Sequence, residues 1–562
     1  MTTTAQPGPV DELTEAVKAE LDQAIADLKA GSAAWAAMTQ AERAEVLART
    51  HASIAENATA WAEGAIAAKG TPKALGGEEW ASGPYCAMGN FGLAAKVMAD
   101  LAAGKSSLEG VKFGTAPGGR VTLKVLPANA QEAMLLTGMK GEIWMPPGVT
   151  EEQVRQEAGL GARSTGEGGG VGVVLGAGNI SAIGPLDVLY ELVAFNRASV
   201  LKLNPTFASL LDVYNAALAP LVDAGVLRVV NGAGTIGGYL TSHPDIEHVH
   251  ITGSAVTHDA IVWGVGAEGD ERRAKGEPKL TKAITSELGG VSPIIVVPGN
   301  WSKSDLKYQA EHVLTQRLHN CGHNCIAGQT LILSKDWPQK DAFLDAIREA
   351  MTKLPPRPAW YPGSDRKLGL AETSYPAAEH LGGRLLIEVD ESTSQDLFTT
   401  EYFGPVLGHT ELPGTGIDFL TKAVRFANER LDGTLGASLI VKGRDRKAMG
   451  RAFDEAIADL RYGNIGINAW SAVAFLMPAM PWGAFPGHTL EKVGSGIGTV
   501  HNNHLVAGPE RSVVSAPFKS MPTPPWFVTA KNGLPANIKL AEYAKAPSWG
   551  RLMKVVVAAI KG

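Results

Sequence analysis

Reactive side chains stand beside glycines at four places in this 562-residue chain. Cys325 closes Gly322-His-Asn-Cys325, with Ala327-Gly328 after it, and Glu287 opens Glu287-Leu-Gly-Gly290, with Ser292-Pro293 just beyond. Gly176-Ala-Gly-Asn-Ile-Ser181 ends an apolar run, and Glu401 opens Glu401-Tyr-Phe-Gly-Pro-Val406. A thiolate is nucleophilic near neutral pH and leaves well afterwards. A carboxyl group in an apolar pocket has its pKa raised toward neutrality and can take a proton from water. The 176–181 hexamer is one residue short of GxGxxG, so it reads either as a plain strand-to-helix turn or as a pyrophosphate-binding turn. His319, Cys321, His323 and Cys325 alternate, which raises a metal site. Period two is wrong for tetrahedral zinc: an extended strand would set the four side chains in a line of roughly 20 Å, whereas structural sites use close pairs far apart in sequence. No metal is therefore expected, and Cys321 and Cys86 read as small packed residues.

The elements that must carry these residues alternate between strand and helix. Short apolar runs at VGVVL (171–175), SVLKL (199–203), LRVV (227–230) and EHVHIT (247–252) are separated by helical stretches at 184–197, 207–224 and 235–242, each long enough for a right-handed crossover. A second series begins with PIIVV (293–297), a helix over 304–318 and QTLIL (329–333). Two tandem α/β domains with parallel sheets and a cleft between them are expected. Ahead of them, Leu13, Val17, Leu21, Ile25 and Leu28 predict an amphipathic helix stopped by Gly31. Thr39 and Glu42 form a capping-box signature for a second helix, which Gly70 stops. Residues 105–170, with a VTLKVL strand at 121–126, read as a hairpin or docking region, and the charged, Gly-rich 264–282 stretch as a solvated loop.

Taken in order, these motifs resemble the NAD(P)-dependent aldehyde dehydrogenase superfamily. Ile251-Thr-Gly-Ser254, Val200-Leu-Lys202, Gly463-Asn-Ile-Gly-Ile-Asn468, Pro481-Trp-Gly-Ala484 and Gly494-Ser-Gly-Ile-Gly498 add to the likeness, which spans roughly residues 35 to 525. The resemblance implies an α/β aldehyde dehydrogenase-like fold: two Rossmann-like domains and a small oligomerisation hairpin. The implied division is 1–120 with 169–287 for cofactor binding, 121–168 with 505–520 as a bridging region, 288–504 as the catalytic domain and 521–562 as a C-terminal extension. It assigns Cys325 as nucleophile, Glu287 as general base, and the Asn179 amide with the Cys325 N–H as oxyanion donors. That displaces the pyrophosphate reading of 176–181. For the cofactor, NAD or NADP, it assigns Lys202 and Glu401 to the two riboses and Gly253 and Ser254 to a helix start facing the pyrophosphate. Leu288, Gly289 and Phe403 complete the implied cofactor set. Where many members follow the lysine with a ribose-chelating glutamate, this chain has Lys202-Leu-Asn-Pro205, so NADP stays open beside NAD.

The implied reaction is oxidation of an aldehyde to its acid through a thiohemiacetal and a thioester. The region around His501 and the C-terminal tail is similar to class 3, fatty-aldehyde-type members, which points to an apolar fatty or aromatic aldehyde. Two alternatives stand beside it: a CoA-acylating semialdehyde dehydrogenase, and an inactive scaffold of the same fold. A net charge of −6 gives no basic excess for nucleic acid, and three cysteines with no basic-apolar leader fit a cytoplasmic protein. A homo-oligomer, dimer or tetramer, is implied, with 120–168 and the strand 511–514 as contact elements. The 547–562 segment, including Lys561, reads as a helix packed on protein, or as an interfacial helix touching a membrane surface.

Overall fold

The computed structural model describes residues 12–392 and 396–560. β-branched and leucine-rich runs that are buried on both faces favour parallel strands covered by helices. Accordingly Val171–Leu175, Ala198–Lys202, Leu227–Val230, His248–Gly253 and Ala283–Leu288 form a parallel sheet in the order 227, 198, 171, 248, 283. The short strand Gly496–Ile497 closes its outer edge antiparallel to Ala283–Leu288, with Gly496 opposite Glu287. The helix Ile183–Phe195 crosses over it, buried along nearly its whole length.

A second sheet holds eleven strands. Seven run parallel, from Arg511–Ser515 through Asn464–Ile467, Gly436–Ile440, Ser292–Val296, Gly328–Ser334 and Val406–Leu412 to Leu385–Glu388. Lys112–Ala116, Arg120–Leu126 and Lys140–Trp144 extend it antiparallel through Arg511–Ser515. The 105–170 region is thus a three-stranded meander. The strand at 511–515 is bonded on both edges within the chain, so neither edge is open to pair with another subunit.

Three element expectations change. The first helix, Glu15–Ala37, runs through Gly31, because that glycine serves packing: a Cβ there would lie 1.9 Å from the Gly225 carbonyl oxygen. The 207–224 crossover breaks into a 3-10 turn and two short helices, Leu211–Ala217 and Ala219–Asp223, with Pro205 and Pro220 each at the start of a piece. The 264–282 stretch contains a helix, Gly266–Lys275, braced by Glu268–Arg272 and Glu271–Lys275 pairs and by Arg273 on Asp259. Composition suggested a loop; i,i+4 charge spacing makes the helix.

The Thr39 capping box starts Gln40–Lys69, and Gly70 ends it in the left-handed conformation, as expected. At the far end Trp549–Ile560 packs on the helix Gly533–Lys545 through Leu552 and Val555, and Asn532 donates to the Ala558 and Ala559 carbonyls. Trp549, Met553, Val557 and Ile560 stay exposed, and Lys561 lies outside the described residues. Among the described residues no helix is long and apolar enough to cross a membrane.

Candidate active site

A buried helix, Lys303–Leu318, delivers the chain to a tight turn at 319–322 before the strand Gly328–Ser334. Asn320 and Cys321 both take positive φ there, 53° and 56°, a conformation that non-glycine residues hold only when their surroundings enforce it. Asn320 supplies that enforcement. Its backbone N–H donates to Glu78 at 2.7 Å, and its side-chain NH₂ donates to the Asn179 and His323 carbonyls at 3.1 and 3.0 Å. Its Oδ1 accepts from Lys69 and Trp360 at 3.2 and 3.1 Å. Every polar group of this buried side chain is engaged, and the turn aims Cys325 into a cavity.

The turn also disposes of the extended picture of the alternating His and Cys residues. His319 faces Glu78 at 3.8 Å, Cys321 faces the Arg357 carbonyl at 3.3 Å, His323 faces Ser364 at 2.6 Å, and Cys325 faces Glu287. The four diverge to four neighbours instead of lining one face of a strand.

Asn179, Glu287 and Cys325 line one cavity. Each comes from a different element: the loop after Val171–Leu175, the end of Ala283–Leu288, and the turn before Gly328–Ser334. The Asn179 amide donates one hydrogen to the His323 carbonyl at 3.0 Å, which fixes it beside the cysteine loop. Glu287 is buried, accepts from Trp482 Nε1 at 3.2 Å and bonds the Cys325 thiol. Burial outweighs those bonds and pushes its carboxyl up to about 7. Burial, and then the neighbouring Glu287 carboxylate, hold the Cys325 thiol well above its ordinary value. The resting pair is therefore a neutral thiol beside a carboxyl poised near neutrality. Ile180, Ile183, Trp470, Phe475, Leu476 and Val500 make the rest of the wall largely apolar. Asp187, Thr252 and His501 add a polar corner, of which sequence reading had singled out only His501 and the Thr252 motif.

Of the residues assigned to a cofactor, Lys202, Gly253, Ser254, Leu288 and Gly289 stand along the C-terminal edge of the six-stranded sheet, where open α/β sheets receive their ligands, and Glu401 and Phe403 come from the loop before Val406–Leu412 of the other sheet. Lys202 ends its strand and donates to the Gly232 carbonyl at 3.0 Å. Gly253 ends the strand His248–Gly253, and Ser254 caps Ala255–Val262 by accepting from Thr257 N–H. Leu288 is buried and donates to the Ser495 carbonyl at 2.8 Å. Gly289 leaves room for Glu401: a Cβ there would lie 2.2 Å from its carboxylate. Phe403, at φ 45°, packs edge-on to Tyr361 and tilted against His323. Burial raises the Glu401 carboxyl to about 7, and its Oε1 is buried without a hydrogen-bond partner. A buried acceptor left unsatisfied costs about 1–3 kcal/mol, so this oxygen fits a ligand that brings hydroxyl donors. A ribose does so.

Residues 154–365 match the model of the aldehyde dehydrogenase family, a segment that holds Asn179, Glu287 and Cys325. The fold is similar to that of γ-glutamyl-γ-aminobutyraldehyde dehydrogenase from Burkholderia cenocepacia, at 20% identity over 88% of each chain and a TM-score of 0.58. An NADP-dependent enzyme of E. coli matches at 19% identity over 88% of this chain and 89% of that one, with a TM-score of 0.57. A Pseudomonas syringae aldehyde dehydrogenase C variant complexed with NAD+ and octanal matches at 18% identity over 89% of each chain, with a TM-score of 0.56. The 154–365 segment therefore matches the aldehyde dehydrogenase family, and the chain as a whole has the aldehyde dehydrogenase-like α/β fold.

Proposed function

We propose that this protein oxidises an apolar aldehyde to its carboxylic acid with NAD+ or NADP+, through covalent adducts on Cys325. The observation that carries the reading is the meeting of Cys325, Glu287 and Asn179 in one cavity with a largely apolar wall. A neutral thiol adds poorly to a carbonyl, so Glu287 first takes the Cys325 proton along the bond they share. The sulfur then adds to the aldehyde carbon, and the second hydrogen of the Asn179 amide, with the Cys325 N–H, steadies the oxyanion. A bound nicotinamide supplies the hydride acceptor that turns the adduct into a thioester. Glu287, once free of its proton, draws one from water for hydrolysis, and Cys325 leaves.

Glu401 would hold ribose hydroxyls through its unpaired Oε1, with Lys202, Gly253, Ser254, Leu288 and Phe403 around the rest. In this reading the six-stranded sheet is the cofactor half and the eleven-stranded sheet the catalytic half. Pro205 stands where a ribose-chelating acid would, and it repels neither a hydroxyl nor a 2′-phosphate. The neighbours named above, one NADP-dependent and one complexed with NAD+, span the same choice. The octanal held by the P. syringae neighbour suits a wall of this kind. Cofactor reduction by the purified protein with octanal, benzaldehyde and short polar semialdehydes tests the substrate class. Preference for the first two is expected, and equal turnover of the semialdehydes overturns it. Acid formation without coenzyme A is expected as well, since Glu287 stands beside the cysteine to activate water. A homo-oligomer belongs to the same proposal, and sedimentation at the mass of a single chain at micromolar concentration removes it.

A further inference from the structure

Behind the cavity, polar side chains stack where the crossover helix lies over the six-stranded sheet. Residues two apart on a strand share a face, so His248, His250 and Thr252 point the same way, beside Thr285 and Glu287 of the next strand. His250 pairs in register with Thr285, and Thr252 with Glu287. Above them, Asp187 and Glu191 stand one turn apart on the helix Ile183–Phe195. Apart from Thr285, which is partly buried, these residues are all buried. His501 Nε2 lies 3.1 Å from Asp187 Oδ1, and Thr252 donates to Asp187 Oδ2 at 3.0 Å. His250 Nε2 lies 3.4 Å from the same oxygen, and its Nδ1 lies 2.9 Å from the Thr285 hydroxyl. That hydroxyl is 3.5 Å from His248 Nε2, whose Nδ1 is 3.1 Å from Glu191. Glu191 pairs with Arg197, the member that reaches solvent, with 17% of its side chain exposed.

A buried carboxylate is stable only if paired, which explains one ion pair but not a column of five titratable side chains. The proposed reaction supplies a use for it. Glu287 holds the thiol proton after thioester formation and must lose it before it can accept another from water. We propose that the column His501, Asp187, His250, Thr285, His248 and Glu191 carries that proton out of the cavity. This rests on the hydrolytic reading of the site. The proton leaves Glu287 through the hydrolytic water and reaches the Asp187–His501 pair at the shared cavity. As it enters His250 at Nε2, the Nδ1 hydrogen passes to Thr285, the Thr285 hydrogen passes to His248, and the His248 Nδ1 hydrogen passes to Glu191 at the Arg197 mouth. No electrons move, and each ring returns to its starting form when its hydrogen resets. Asp187, held low by its two histidines despite burial, keeps a charged acceptor at the inner end of the column.

Thr285→Val breaks the column without changing charge or size, and Thr285→Ser restores the hydroxyl. Rapid-mixing measurements with NAD+ and octanal separate the first burst of reduced cofactor from steady turnover. Thr285→Val and His248→Gln are expected to keep the burst and lose at least about tenfold in steady turnover, the low side of what a proton-transfer group contributes. Millimolar imidazole should restore turnover in both variants without affecting the wild type, and Thr285→Ser should match the wild type. Unchanged steady turnover in both variants overturns the relay while leaving the oxidation standing, as does a loss that imidazole fails to restore in variants that melt like the wild type. A wild type that reduces no cofactor with octanal removes the oxidation reading itself.

Discussion

Two walls of one cavity treat buried carboxyl groups in opposite ways. Asp187 is surrounded by His501, His250 and Thr252, and its pKa falls below the ordinary range despite full burial. Glu287, across the same cavity, meets only a thiol and an indole N–H, and burial drives it up to about 7. Glu401 also rises to about 7, with an oxygen left unpaired. One wall is satisfied and closed; the other is under-satisfied and ready to exchange protons and accept donors. Burial alone does not decide a group's chemistry: the partner does.

The largest effects should come from removing the reactive wall. Cys325→Ala is expected to abolish aldehyde-dependent cofactor reduction while leaving the melting curve unchanged, and persistent turnover would show that the nucleophile lies elsewhere. Glu287→Gln keeps an acceptor for Trp482 but cannot hold a proton in exchange. Turnover should fall by about 10²–10⁴. In the wild type, kcat should rise with pH through about 7 as Glu287 ionises, and that limb should vanish in the variant. A smaller loss, about 10²–10³ in kcat, is expected for Asn179→Ala, which removes one of the proposed oxyanion donors. Because that amide also braces the His323 carbonyl, Asn179→Asp provides the control: its charge opposes the oxyanion and should cost at least as much.

The difference between the walls also marks what the sequence could reveal. Cys325, Glu287 and Asn179 were legible because each sits in a short Gly-flanked motif at the end of a strand or helix, and the alternation of apolar runs told which ends those were. The two sheets were legible for the same reason. The left-handed turn at Asn320 and Cys321 was not, since tertiary hydrogen bonds from Lys69, Trp360 and Glu78 hold it, and nothing local in His-Asn-Cys-Gly announces them. The satisfied wall was hidden too. His248, His250 and Thr252 alternate visibly, but Asp187 and Glu191 stand in an otherwise apolar helix, and only the crossover brings the two sets together. Charge spacing in the 264–282 stretch did carry a helix signal, which glycine content obscured.

The smallest effects separate the walls by stability instead of rate. Glu287 has a folded pKa near 7 against an ordinary 4.5, so the folded state binds its proton more tightly and loses stability as pH rises from about 4.5 through about 7. A tenfold difference in proton affinity between folded and unfolded chain is worth about 1.4 kcal/mol, which places the full penalty at about 3 kcal/mol above pH 7 as an upper bound. Glu287→Gln, though slow, should therefore melt higher than the wild type at pH 8 and nearly alike at pH 4.5. Asp187 has the opposite sign. Its folded pKa is depressed, so its contribution is present above the ordinary aspartate value and disappears as pH falls through the folded one. Asp187→Asn leaves His250 and His501 without a buried counter-charge and should melt lower at pH 8, with the gap closing in acid. Parallel changes in the melting of the two variants across pH would mean that both carboxyls feel one common environment, and the contrast between the walls would be lost.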